Sequence, residues 1–301
     1  HMTRQDTAAR EGAAKKAKNG GGKYAALSMI ALYAFAVLAV LLSVSVFVRH
    51  STQQQGAALR VLYTPPSPAA AQAADPAPEG EEKPAVIPAR FEELYEINPE
   101  LIGWLRVGAL VDEPVVYRDN EYYLHHSFRG NASNSGTVFA DVENDRWAHD
   151  AYVVLYGHNI RGGDKFGPLA QYRELDCLKE NPLISWDTIS GDDAALYAVF
   201  SVFDASMLPD SEDYFYLRRF DELRSGGDEA MQLLIDELRE RSLYDVPIDV
   251  APQDGILALV TCSYSNSDGR LMVFARRLRA SESAEDICSA AALASVREAQ
   301  N

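Results

Sequence analysis

Hydrophobic and polar positions along this 301-residue chain fall into zones of different rhythm. From Tyr24 to Val48 there is no charged residue, and Arg49 and His50 end the run. Its 25 residues, rising about 1.5 Å each, reach roughly 37 Å and so exceed a hydrocarbon core of about 30 Å. A membrane helix over 24–48 is expected. The next zone, to residue 88, is rich in Gln, Ala and Pro ("TPPSPAAAQAADPAPEGEEKPAVIP"). Such a composition buries too little apolar surface to fold alone, and 49–88 reads as a semi-extended stalk. A folded zone, 89–280, opens where Phe91, Leu94 and Tyr95 keep helical spacing until Pro99 interrupts. An apolar segment around Trp104 follows. Short runs ("PVVYR", "GTVFAD", "AYVVLY") then alternate with Asn, Gly, Ser and Asp clusters, the pattern of a mostly antiparallel β domain. "AALYAVFSVFDA" predicts a longer strand. Asp228, after Gly226-Gly227, is placed to cap a core-packing helix with Met231, Leu234, Ile235 and Leu238 on one face. Ile256–Val260 and Leu271–Ala275 predict two last strands, and 281–301 a surface helix or frayed tail.

Charge sets the orientation of the first zone. His1-Met2 reads as a cloning scar, and the leader 1–23 carries Arg4, Arg10, Lys15, Lys16, Lys18 and Lys23 against Asp6 and Glu11. Positive flanks stay in the cytoplasm, so the remaining chain is expected outside the cell. A cleaved signal peptide is the competing reading, but its apolar region is typically about 7–15 residues long. The formal charge is −16 overall. Because the leader is basic, the rest is more acidic still, which excludes nucleic acid as a partner.

Cys177, Cys262 and Cys288 are an odd number in a compartment that permits disulfides, so at least one thiol stays unpaired in a monomer. Cys262 lies just past Ile256–Val260, before a loop of Ser, Asn, Asp and Gly, and Arg270 opens the next apolar run. If the two strands form a hairpin, Cys262 and Arg270 are neighbours at one rim. A thiol with a free pKa of about 8.5 needs nearby positive charge or a base to become the reactive thiolate. Arg270 supplies fixed charge and rigid donors for a carbonyl or oxyanion. Among six histidines only His158, after the run "AYVVLY", sits at a comparable strand end. A nucleophile, general acid/base and carbonyl-holding group is the sharp reading. The plainer one is an inert core thiol beside a turn histidine. Zinc has too few ligands with recognisable spacing, so no metal is expected.

Together "YGHN" at Tyr156–Asn159, "TC" at Thr261-Cys262 and "GRLMVFAR" at Gly269–Arg276 resemble the motifs of the sortases, membrane-anchored cysteine transpeptidases of Gram-positive bacteria, and specifically class B. The resemblance runs from Arg90 to about Leu278 and takes in "INPELIGWLRV", "NEYYLHHSF", "GTVFAD" and a helix before the cysteine strand. It implies a closed eight-stranded β-barrel with added helices and no cofactor; calcium belongs to some class A relatives. Cys262 would attack a threonine carbonyl in an Asn-Pro-x-Thr-like sorting signal of a surface protein or pilin. An amine of a peptidoglycan precursor or of a pilin would resolve the thioester. His158 would move the protons and Arg270 would hold the carbonyl. Asn120, Leu124, Tyr216, Leu217 and Thr261 are implied as substrate contacts, with core packing the alternative for Leu124, Tyr216 and Leu217. Val260 stands where the family commonly has serine. Cys177 and Cys288 match no catalytic position. Two rivals stay open: a cysteine peptidase that hydrolyses its acyl-enzyme, and an anchored surface module without turnover.

Overall fold

The uncharged run is the middle of one long helix, α1 (Arg4–Leu62), in a computed structural model that describes residues 4–66, 86–147, 151–159, 164–191, 194–262 and 269–297. Backbone contacts divide the chain into two units, residues 1–55 and 56–301. In the first, every residue from Met29 to Val48 is exposed, and this is the only helix among the described residues long and apolar enough to cross a membrane. A bare apolar surface of that length needs cover that water cannot give.

The second unit opens earlier than the composition suggests. Residues 56–62 are helical rather than stalk-like, and Leu59 and Tyr63 are buried in an outer apolar layer with Phe91, Leu94, Leu101 and Trp104. The physical reason is a short amphipathic pattern: Leu59, Leu62 and Tyr63 fall at i, i+3 and i+4. Tyr63 stacks on Trp104 with centroids 4.5 Å apart, and its hydroxyl donates to Asp187 Oδ2 at 2.7 Å. Arg90 forks onto the same carboxylate with two bonds of 2.8 Å. Residues 67–85 of the expected stalk lie outside the described residues.

After a 3-10 turn at Ala89–Phe91 and α2 (Glu92–Ile97) come β1 (Leu101–Val107), β2 (Val111–Val116), β3 (Val138–Ala140) and β4 (Tyr152–His158). A short helix α3 (Leu175–Glu180) precedes β5 (Leu183–Thr188) and the long β6 (Ala195–Ser206). Then come α4 (Phe220–Arg241), β7 (Tyr244–Asp245), β8 (Ile256–Cys262), β9 (Gly269–Arg277), α5 (Ala284–Ala292) and β10 (Ser295–Val296). Eight strands close into a barrel in the order β1-β2-β3-β4-β8-β9-β6-β5, as expected; β7 and β10 form a separate pair. The pairs are antiparallel except β2 with β3 and β4 with β8. Closure leaves no unpaired sheet edge.

The expected helix is the second half of α4, which breaks at Gly227. Its Met231, Leu234, Ile235 and Leu238 are all buried in the main core, as their spacing predicts. The C-terminal segment is less frayed than expected. Ser283 and Asp286 form a reciprocal capping box, Ile287 and Ala291 enter the main core, and β10 pairs with β7. Residues 298–301 lie outside the described residues.

Candidate active site

The three singled-out residues come from adjacent barrel strands that end together. β4 and β8 run in parallel with Tyr152 opposite Ile256, and the register continues to His158 opposite Cys262. β8 and β9 are antiparallel, from Ile256 opposite Arg276 to Val260 opposite Met272. Two more steps of that register set Cys262 opposite Arg270, and β6 meets Arg270 at Ala205. Positions 158, 262 and 270 therefore form one row across neighbouring strands, which lie about 4.8 Å apart. Both strands are longer than the apolar runs suggest: His158 and Cys262 are the last strand residues rather than two residues beyond the strands. The Cys262 side chain and the loop 263–268 lie outside the described residues.

Local sequence explains the row. Gly157 allows Phe166 to lie flat against β4, since a Cβ there would meet the Phe166 ring at 2.6 Å. Phe166 is fully buried, and its N–H donates to the His158 carbonyl at 3.0 Å. His158 itself is only 4% exposed, and its Nε2 donates to the Leu124 carbonyl at 2.6 Å. Thr261 Oγ1 accepts from Leu271 N at 2.9 Å, which ties the end of β8 to the start of β9. Arg270 is half-buried.

The expected substrate contacts divide. Tyr216 is 51% exposed and open to a ligand. Leu124 is half-buried, and its carbonyl rather than its side chain meets His158. Leu217 follows the core-packing alternative: it is fully buried in the main core, where its carbonyl accepts from the Tyr152 hydroxyl at 3.0 Å. Thr261 is buried, and its hydroxyl is engaged with Leu271. Asn120 uses both ends of its amide internally, accepting from Val142 N at 2.9 Å and donating to Asp141 Oδ2 at 3.3 Å.

Asp141 was not singled out by its sequence setting. Its carboxylate is wholly buried, yet it accepts from the Tyr156 hydroxyl at 2.8 Å and pairs with Arg218 Nε at 3.3 Å. Tyr156 precedes His158 by two residues, so both occupy one face of β4. Arg218 also pairs with Glu143, which pins the segment bearing Tyr216 beside that face. A buried carboxylate needs such partners.

The other two thiols are elsewhere. Cys177 is buried on α3, and burial pushes its thiol above the ordinary value, away from reactivity. Cys288 is exposed on α5. Clefts of about 650 and 690 Å³ are lined by Arg173, Tyr244 and Arg297 in one case and by Glu143, Trp147 and Arg224 in the other, away from the row.

Comparison with known proteins agrees with the barrel fold. No family model matches the chain. Sortase B of Listeria monocytogenes is 26% identical over 189 residues, covering 61% of this chain and 72% of the relative. Sortase B of Staphylococcus aureus is also 26% identical, over 64% of this chain and 76% of its own. The solved sortase B of Bacillus anthracis superposes with a TM-score of 0.60 at 22% identity, covering 77% of this chain and 99% of that one. A Staphylococcus aureus sortase B–substrate complex gives 0.55 at 24%, over 65% and 87%. The barrel and its strand order are those of a sortase, a cysteine transpeptidase. Within that class the chain is similar to the class B enzymes.

Proposed function

We propose that Cys262 is the nucleophile, His158 the general acid/base and Arg270 the carbonyl-holding group of this transpeptidase. The observation that carries the reading is the single row formed by positions 158, 262 and 270 where β4, β8 and β9 meet. The Cys262 thiolate attacks the carbonyl carbon of a threonine in an Asn-Pro-x-Thr-like signal on a surface protein or pilin. A C–S bond forms, the amide C–N bond breaks, and His158 gives its proton to the leaving amine. An incoming amine, from a peptidoglycan precursor or a pilin, attacks the thioester, yields its proton to His158 and expels the thiolate. The guanidinium of Arg270 faces the oxygen on which negative charge develops in both steps. Tyr216 lines the path of the signal peptide. The segment 24–48 crosses the membrane with the leader inside, which places the barrel where surface proteins arrive.

Mass spectrometry tests this directly. The intact chain, incubated with Asn-Pro-x-Thr-type peptides, gains a thioester adduct on Cys262, and an added amine converts it to an amide product. Cys262→Ala and His158→Ala give neither. Product found only as the free acid would make the protein a hydrolase, and transfer by the Cys262 variant would remove the mechanism altogether. A membrane-impermeant peptide supplied to intact cells forms the same adduct; an adduct seen only after lysis would put the barrel inside.

A further inference from the structure

We propose that Gly136 is a positioning residue for His158: its missing side chain admits the Leu124 carbonyl to the imidazole, which fixes the ring as the Nε2–H tautomer and leaves Nδ1 to exchange protons during acyl transfer. The proposal rests on His158 being the general acid/base argued above.

The chemistry starts from the acceptor. A backbone carbonyl has lone pairs and no proton, so the nitrogen 2.6 Å from Leu124 O must be the protonated one. In a neutral imidazole only one nitrogen carries hydrogen, and the bond made by one sets the role of the other. Nε2–H donates to Leu124; Nδ1 is then the basic nitrogen of the ring.

The space for that contact exists only because residue 136 is glycine. Its φ is +58°, a region that L side chains rarely adopt. A Cβ there would sit 2.4 Å from Tyr123 O, 2.9 Å from Leu124 O and 3.0 Å from His158 Cδ2. Two of the three are backbone oxygens, which cannot swing aside as a side chain can. Tyr123 O is held in place by Thr137 N, which donates to it at 2.9 Å, and the residues just after Leu124 are pinned by Thr137 Oγ1 donating to His126 O at 2.9 Å and Ser133 N to His125 O at 2.8 Å. Tyr123 anchors the same turn from behind, donating to Glu100 at 2.5 Å and accepting from Asn98 at 2.8 Å. Relief of the clash therefore moves the Leu124 carbonyl and the ring together, away from the row.

Two measurements on the intact chain in detergent test this. Nitrogen NMR of the His158 ring in the unaltered protein shows the Nε2–H tautomer when the ring is neutral; an Nδ1–H ring overturns the proposal without any variant having to fold. Gly136→Ala lowers kcat about 100-fold, the scale expected of a misplacement near 1 Å, with KM little changed and a mixture of ring tautomers. A variant that keeps kcat and the parent's ring shifts overturns it equally. His158→Ala separates the two readings. If that variant still transfers acyl groups, the acid/base reading itself has failed. If it is inactive while the ring of the unaltered protein is Nδ1–H, only the role of Gly136 and Leu124 is lost.

Discussion

Strand β9 carries an arginine near each end, and the two are held in different ways. Arg276 is 1% exposed: its Nε donates to Asp249 O at 2.8 Å and its Nη1 to Arg277 O at 3.0 Å, while both terminal nitrogens pair with the Glu282 carboxylate. Beside it Arg279 forks onto Asp254, at 2.9 and 2.7 Å. That end of the barrel is an ion cluster closed on itself. Arg270, six residues earlier on the same strand and the same face, is half-buried in the row with His158 and Cys262. Residue type is therefore no guide to role. A guanidinium matched by a carboxylate inside the chain stabilises; the one at the strand end in the row with positions 158 and 262 is the one proposed to hold substrate.

The contrast breaks most sharply by truncating each arginine in turn. Arg270→Ala lowers kcat for acyl transfer by about 100- to 1,000-fold, the scale seen when one oxyanion donor is removed, and leaves thermal unfolding nearly unchanged. Arg276→Ala does the reverse. It strands Glu282 and the carbonyls of Asp249 and Arg277 and lowers stability by about 3–5 kcal/mol, while the remaining folded protein keeps its kcat. Denaturant titration and peptide turnover on the same samples check both. Loss of stability in the Arg270 variant without loss of turnover would erase the distinction.

A smaller effect sharpens the comparison at the closed end. Glu282 leads into α5, whose Ser283 N donates to Asp286 Oδ2 at 2.9 Å while Asp286 N donates to Ser283 Oγ at 3.2 Å. Ser283→Ala removes one half of that box and lowers stability by about 1 kcal/mol, read by denaturant titration. Acyl transfer per folded molecule stays at the parent level. A drop in kcat would mean that the two ends are coupled through the barrel.

What the sequence revealed follows the same division. Strand ends were legible because a buried strand is a continuous apolar run closed by turn residues, and Ile256–Val260 and Leu271–Ala275 are such runs. The rim holding Cys262 and Arg270 followed from pairing them, and the α4 core face from a 3.6-residue period. β5 was not legible: Ser185 and Asp187 interrupt its apolar pattern, and Asp187 is buried only because Arg90 and Tyr63 reach it from 97 and 124 residues away. Leu217 could not be sorted into core or site, because at a turn the register decides which way a side chain faces. The Leu124 carbonyl left no trace at all. Every residue has one, and only the fold shows which one meets an imidazole.

The smallest expected effect isolates the charge of the closed end. Burial alone would raise the Glu282 carboxyl, but bonds from the Arg276 guanidinium and the Arg279 N–H outweigh it and hold the group below its ordinary value of 4.5. A carboxyl whose folded value is depressed adds stability above the unfolded value and loses that contribution as pH falls through the folded one. The barrel therefore loses stability on acidification below pH 4.5, and Glu282→Gln, which cannot titrate, loses less over the same interval. Denaturant titrations at a series of pH values read the difference between the two slopes. Equal slopes would show that Arg276 is held by the carbonyls of Asp249 and Arg277 and by Asp254, 3.9 Å away, with the Glu282 charge contributing nothing measurable.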